Sequence, residues 1–193
     1  MAISTEALKR IMRVRKKYSS LERIRERRRY EDAAIAIIDG CFDKLTREDV
    51  KRIIDFLNRD FRGGRSLQDR FLGGFGRDIP DNSEDDLNEL FIEIYWKENL
   101  DAADSLMSRL SGVSDGFISC LLYLKDRNRY NIMMPGLIDG MEHIFGRDAV
   151  RPIRRGRTFK ERYEAFNKLA HELRRICKLE PQEVDIILWG IMH

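Results

Sequence analysis

Apolar residues recur along this chain with the spacing of an α-helix. In one clear case, five residues follow the i, i+3, i+4 and i+7 pattern of a helix that buries one face: Val50, Ile53, Ile54, Leu57 and Phe61. The same spacing returns over residues 87–95, 159–176 and 184–191. No segment of useful length alternates with period two, as a half-buried strand would. The sequence therefore predicts an all-α fold, a multi-helix orthogonal bundle of about nine or ten helices.

Several helix starts are also marked in the sequence. Three segments fit the [ST]xx[DE] capping pattern, in which a hydroxyl accepts a hydrogen bond from a free backbone N–H and an acid favours the positive helix end. These are Thr46 with Asp49, Ser83 with Asp86, and Thr158 with Glu161. Pro181 fits the first turn of the last helix, where its missing N–H does no harm. The predicted helices span residues 5–17, 20–43, 46–60, 66–72, 83–98, 100–110, 114–125, 136–145, 158–178 and 181–191.

Residues 117–124, with the sequence FISCLLYL, are apolar nearly all round. A run of this length fits either a buried strand or a buried helix. Because its neighbours are helical, we expect a central helix that the other helices surround.

A glycine-rich segment at residues 62–82 interrupts the periodic pattern, with five glycines and one proline. It is either a surface loop within one helical domain over residues 1–193, or a link between a basic N-terminal helical part (1–62) and a C-terminal helical core (83–193). Residues 73–76, Gly-Gly-Phe-Gly, could suggest a phosphate-binding loop. A P-loop needs GxxxxGK[ST] after a strand, and neither is found here. We interpret this segment as a flexible connection.

No catalytic or metal-binding motif stands out, so we expect a non-enzymatic protein without a cofactor. The three histidines have no partners at the spacing of zinc ligands, and no GxSxG motif occurs. Cys41, Cys120 and Cys177 form no CxxC pair and are expected to be buried, reduced thiols. No signal-peptide pattern and no run of 18 apolar residues is found, which predicts a cytoplasmic protein that does not span a membrane. The charged fraction of 36% is typical of a thermophilic source.

The net charge of +3 conceals an uneven distribution. Residues 1–30 carry eleven Lys or Arg against three Glu, and residues 146–162 carry seven against two acids. Residues 78–104 carry ten acids against Lys97 alone. Separate basic and acidic faces can each bind a different partner.

The two basic segments are the candidate site. We expect the C-terminal one to be a loop that leads into the helix beginning at Thr158, where guanidinium groups and free N–H groups would bind phosphate. The N-terminal one spreads its charge over two helices, from Lys9 to Arg29. The alternative is charge that only solubilises the surface. The candidate nucleic-acid-binding residues are Arg147, Arg151, Arg154, Arg155, Arg157 and Lys160, with Arg25, Arg27, Arg28 and Arg29.

The C-terminal half resembles a known helical module. Residues 121–132, LLYLKDRNRYNI, are similar to an LLYxxDxxxYxI turn between helices, and Tyr163 to Phe166 with residues 183–189, EVDIILW, are similar to its Yxx[FL]…ExDxxLW ending. Over residues 106–190 the chain resembles a module of archaeal and bacterial restriction-related proteins, in the region preceding the ATPase of McrB-type restriction enzymes. The resemblance implies a DNA-recognition module beside a motor and a nuclease. No Walker motif is found, so an ATPase or nuclease would be a separate subunit or domain.

Two functions are consistent with these observations. The first is a non-enzymatic DNA-binding module of a restriction or defence system, with duplex DNA as the partner. The second is a helical protein–protein interaction or assembly module, whose acidic face at 78–104 docks a basic partner or a second copy of the chain.

Overall fold

The computed structural model describes residues 3–59 and 76–193. Within these ranges the chain forms ten α-helices and no strand, which confirms the predicted all-α fold. The predicted helical turn at 66–72 and glycines 73 and 74 lie outside the described residues. The helices are α1 (Thr5–Tyr18), α2 (Leu21–Gly40), α3 (Arg47–Arg59), α4 (Glu84–Leu90), α5 (Ala103–Arg109), α6 (Asp115–Lys125), α7 (Pro135–Phe145), α8 (Arg147–Arg155), α9 (Phe159–Cys177) and α10 (Glu183–Met192).

The three predicted caps are confirmed. The hydroxyls of Thr46, Ser83 and Thr158 accept hydrogen bonds from the backbone N–H three residues later, at 3.2, 3.1 and 3.2 Å. Each cap satisfies a backbone donor that has no partner inside its helix. The last helix begins at Glu183, so Pro181 lies in the turn just ahead of α10 and not in its first turn.

Two helices lie at the centre of the core. Every residue from 117 to 124 of α6 is buried, as expected for a central helix. The same holds for α10, where every residue from 183 to 191 is buried. The sequence pattern predicts only a half-buried stripe for this helix. The difference arises because Glu183 and Asp185, whose residue types are typical of the surface, have charged partners inside the protein.

Glycines allow other helices to approach the α10 backbone closely. A Cβ atom on Gly140 of α7 would lie 2.3 Å from the carbonyl oxygen of Leu188. A Cβ atom on Gly190 would lie 2.4 Å from Cγ1 of Val14 on α1. The helices α7 and α1 therefore both pack directly against α10. Residues from both predicted parts, 1–62 and 83–193, belong to one hydrophobic core.

The segment that contains the C-terminal arginines is a helix, α8, and the predicted loop is wrong. Val150 and Ile153, spaced three residues apart, are fully buried on this helix, which packs between α7 and α9. Pro152 lies inside α8 and removes one backbone donor. The burial of the two apolar side chains on one face explains why the segment is helical despite the proline.

The predicted helix at 83–98 consists of two elements. Helix α4 continues into a six-residue π-helix, Phe91–Trp96, in which the N–H of Lys97 donates to the carbonyl of Ile92 at 2.9 Å. In this wider turn Tyr95 is buried, whereas Trp96 beside it is half-buried. Glu98 follows with a φ of 53°, in the left-handed region. Short 3-10 helices precede α4, at Ile79–Asp81, and α5, at Leu100–Ala102.

Two further expectations can be compared with the structure. The three cysteines form no disulfide with one another, but only Cys120 is fully buried, and Cys41 and Cys177 are half-buried at helix ends. Among the helices that the structure describes, none is long and apolar enough to cross a lipid bilayer.

Candidate nucleic-acid interface

The outer face of α1 carries a stripe of cations. Lys9, Arg13, Lys16 and Lys17 are all exposed, at the i, i+4, i+7 and i+8 positions of one helix. The opposite face packs on α10 through Ile11 and Val14. No ion pair joins any of the four cations to a carboxylate in the described part of the chain. Their charges are therefore available to an external anion.

Only part of the basic run on α2 faces solvent. Arg25 and Arg29, one turn apart, are exposed and have no ion pair among the described residues. Arg28 is exposed too, but it pairs with Glu180 at 3.1 Å. The prediction that Arg27 contacts nucleic acid is wrong, because its side chain is only 2% exposed.

Arg27 belongs to a buried cluster of charges. Its Nε donates to Glu31 at 2.8 Å, and its Nη1 donates to Asp185 at 2.9 Å and to the backbone carbonyl of Gln182 at 3.0 Å. The hydroxyl of Tyr123 donates to Glu31 at 2.8 Å. Burial raises the pKa of Asp185, and the guanidinium of Arg27 opposes this effect. The cluster therefore joins α2, α6 and α10 inside the protein.

The arginines of α8 divide into paired and unpaired groups. Arg151 pairs with Asp148 at 2.5 Å, and Arg154 pairs with Asp139 at 2.6 Å and Glu142 at 2.8 Å. Hydrogen bonds to Asp139 and Glu142 raise the pKa of Arg154. The side chains of Arg147 and Arg155 on α8, and of Arg157 just after it, are exposed and have no ion pair within the described ranges.

The N-terminus of α9 is not an open phosphate site. The N–H of Phe159 donates to both carboxylate oxygens of Asp104, at 2.8 and 3.0 Å, and the N–H of Glu161 donates to Thr158. Lys160 pairs with Asp101 at 2.9 Å, which raises the pKa of Lys160. Two of the three N–H groups expected to be free at this helix start are therefore occupied, because an internal carboxylate binds that of Phe159 and the Thr158 hydroxyl binds that of Glu161.

Most acids of the segment 78–104 also have internal partners. Arg109 pairs with Asp86 at 3.0 Å and with Glu89 at 2.6 Å. Four more acids of this segment have a cationic partner: Glu93 pairs with Lys97, Glu98 with Arg129, Asp101 with Lys160 and Asp104 with Arg162. Four acids of the segment stay exposed without an ion pair in the described structure: Asp78, Asp81, Glu84 and Asp85. The free acidic surface is therefore much smaller than the sequence suggests.

Metal coordination finds no support in the described residues, where no group of three or more His, Cys, Asp or Glu side chains could hold an ion. His171 contacts the carbonyl of Arg129 at 2.9 Å, and His193 stacks on Trp189. Both therefore have structural contacts. His143 lies in a shallow cleft with Arg147 and Arg154.

The structure thus reduces ten predicted cations to five that are exposed and unpaired within the described ranges: Arg25, Arg29, Arg147, Arg155 and Arg157. It adds the α1 stripe, which the sequence shows only as part of a basic run. The sequence feature that marks this stripe is that no Asp or Glu stands three or four residues from Arg13 or Lys17.

Comparison of the chain with protein-family models, with curated proteins and with solved structures found no match. The resemblance over residues 106–190 stays a prediction.

Proposed function

We propose that this chain is a non-enzymatic module that binds nucleic acid, with duplex DNA as its ligand, through the outer face of α1. The observation that carries the proposal is the stripe of four exposed cations, Lys9, Arg13, Lys16 and Lys17, which have no carboxylate partner among the described residues. Elsewhere, on α8 and α9, cations such as Arg151, Arg154 and Lys160 are matched by acids of the same chain.

The arrangement on α1 is unfavourable for the isolated protein. Lys9 and Arg13, and Arg13 and Lys17, are four residues apart, and like charges at this spacing destabilise a helix by about 0.2–0.5 kcal/mol per pair. When an anionic polymer binds along α1, the same closely spaced cations become favourable, because each attracts a phosphate. Each Lys or Arg that neutralises a phosphate releases a condensed counterion, so affinity increases as salt is lowered.

The unpaired cations of α2 and α8 extend the proposed interface. Arg25 and Arg29 follow α1 after a turn of only two residues, Ser19 and Ser20. The resemblance of residues 106–190 to a restriction-related module supports duplex DNA as the ligand and a cytoplasmic defence system as the setting. An ATPase or nuclease subunit is then the partner that acts on the bound DNA.

The test is duplex binding measured by fluorescence anisotropy at about 50 mM and 200 mM salt, because affinity that depends on phosphate contacts falls steeply between these concentrations. Replacing Lys9, Arg13 and Lys16 by Gln removes three charges from the exposed face of α1. We expect weaker binding and a salt slope that is lower by about 0.9 for each phosphate that the variant no longer neutralises.

A charge-matched control is available on another surface. Replacing Lys44, Lys51 and Arg52 by Gln removes the same charge around the start of α3, where Lys51 and Arg52 have acidic neighbours at 4.0 and 3.7 Å. This control variant should bind as the unmodified chain does. Equally weakened binding in both variants would show that only net charge matters, and absence of duplex binding at about 50 mM salt would refute the proposal.

A further inference from the structure

An exposed aromatic pair lies at the C-terminal end of α2, whereas α1 precedes the N-terminal end of that helix. Phe42, in the turn after α2, is 53% exposed. Its ring packs edge-on against the half-buried ring of Trp96, with the centroids 5.0 Å apart. A single exposed apolar side chain is common in proteins, but two adjacent aromatic rings at the surface are typical of the centre of an interface.

The backbone on both sides of this pair is irregular. Trp96 ends the π-helix, and such insertions are frequent at functional sites. Asp43, next to Phe42, has a φ of 57°, and Glu98, two residues after Trp96, has a φ of 53°. Left-handed conformations at residues other than glycine cost free energy and are concentrated where function requires them. Both turns that present the aromatic pair therefore contain such a residue.

The chain itself already places a cation on two of the neighbouring rings. The Nζ of Lys125 lies 4.5 Å from the ring centroid of Trp96 and 4.9 Å from that of Tyr95, so the ring left for a partner's cation is that of Phe42. Asp39, in the last turn of α2, and Asp43, next to Phe42, are exposed, and neither has an ion pair among the residues described. Asp39 also accepts a hydrogen bond from the hydroxyl of Tyr95 at 3.0 Å.

We infer that Phe42, held in place by Trp96, binds an Arg or Lys side chain of a protein partner together with Asp39 and Asp43. The exposed ring of Phe42 attracts the cation, and the two carboxylates supply the opposite charge. The same carboxylates would repel the phosphates of a nucleic acid. This surface is separate from the α1 stripe, so the inference does not depend on DNA binding.

The test uses the fluorescence of Trp96, since the chain has two tryptophans and Trp189 is buried. The titrant is a short peptide of alternating Arg and Gly, with a Glu–Gly peptide as its counterpart. We expect the Arg–Gly peptide to change the emission, and the change to be absent in Trp96→Phe, which retains only Trp189. Phe42→Ala and Asp43→Asn should each weaken the affinity by about two- to fivefold, as expected for an exposed cation–π contact.

These variants are matched to the structure. In Asp43→Asn the new residue tolerates the left-handed backbone of position 43. Phe42→Ala changes an exposed site, so its melting temperature should equal that of the unmodified chain. Asp81→Asn removes one exposed acid elsewhere and should leave the affinity unchanged. No response to the peptide, or unchanged affinity in Phe42→Ala and Asp43→Asn, would overturn the inference. So would a response to single-stranded oligothymidine in place of the peptide, because it would identify the rings as a base-stacking site.

Discussion

Arg27 of α2 donates hydrogen bonds to both carboxylate oxygens of Asp185 in α10, each at 2.9 Å. The same guanidinium binds Glu31 one turn further along α2, and Arg127 lies 2.9 Å from the other oxygen of Glu31. The residues Arg27, Glu31 and Asp185 are buried. One guanidinium therefore holds two buried carboxylates from different helices, and it connects α2 to α10.

Replacing Arg27 by Ala should destabilise the protein by about 3–5 kcal/mol, because it leaves two buried carboxylates without this partner. The measurement is the free energy of unfolding from urea titration. Arg28→Ala on the same helix is the control. Arg28 pairs with Glu180 at the surface, so its removal should cost less than about 1 kcal/mol. Equal effects of the two substitutions would contradict the structural role assigned to Arg27.

The raised pKa of Asp185 predicts a pH dependence of stability. Burial favours the neutral acid, so the folded state holds this proton to higher pH than the unfolded state does. The contribution of Asp185 to stability is therefore greatest at low pH. It decreases as pH rises above the ordinary value of 3.8 and through the folded pKa. Asp185→Asn removes this titration, so the free energy of unfolding of the wild-type chain relative to this variant should decrease with rising pH. A difference that increases with pH would show that the pKa of Asp185 is lowered in the folded state.

The position of Arg27 could have been recognised in the sequence. The buried residues of α2 are Ile24, Arg27, Glu31, Ala34 and Ile38, which recur every three or four residues. Arg27 and Glu31 occupy the apolar stripe, and a charged pair at such positions indicates a buried ion pair. The carboxylate of Asp104 at the start of α9 is different. It stands 55 residues before Phe159, and no local pattern shows that the two meet.

The apolar run in α6 predicts a large effect of truncation. Leu121 is fully buried, so Leu121→Ala should reduce the free energy of unfolding by about 2–5 kcal/mol. Leu21, at the start of α2, is 76% exposed, and Leu21→Ala should change stability by no more than about 0.5 kcal/mol. Urea titration of both variants gives the comparison. A small effect of Leu121→Ala would mean that α6 is not central.

The close contact between α7 and α10 makes Gly140 sensitive to any side chain. A Cβ there would lie 2.3 Å from the carbonyl oxygen of Leu188, so a backbone must move, and Gly140→Ala should cost about 1–3 kcal/mol or more. Gly40, the last residue of α2, has no atom within 4 Å of the same added carbon. Gly40→Ala should be neutral or stabilise the chain by up to about 1 kcal/mol. Thermal unfolding of the two variants distinguishes these outcomes, and a stable Gly140→Ala protein would contradict the packing of α7 on α10.

The arginines of α8 show which part of a site prediction requires the structure. Their number and density are visible in the sequence, and both support the hypothesis that they bind phosphate. The sequence does not show which of them lack an ion pair. Arg154 pairs with Asp139 and Glu142 of α7, and these contacts depend on how α7 and α8 pack. Sequence spacing indicates only the local pair between Arg151 and Asp148.

This division predicts different results for two sets of substitutions on one segment. Replacing the unpaired Arg147, Arg155 and Arg157 by Gln should weaken duplex binding and lower the salt slope by up to about 0.9 for each phosphate left without its cation. Replacing the paired Arg151 and Arg154 by Gln should change binding less, because their charges are already matched by acids, and should lower stability by about 0.2–1 kcal/mol per surface ion pair. Anisotropy at two salt concentrations and urea unfolding measure the two effects. If the paired set reduces binding as much as the unpaired set, nucleic acid must displace the internal carboxylates, and the free arginines alone do not define the contact surface.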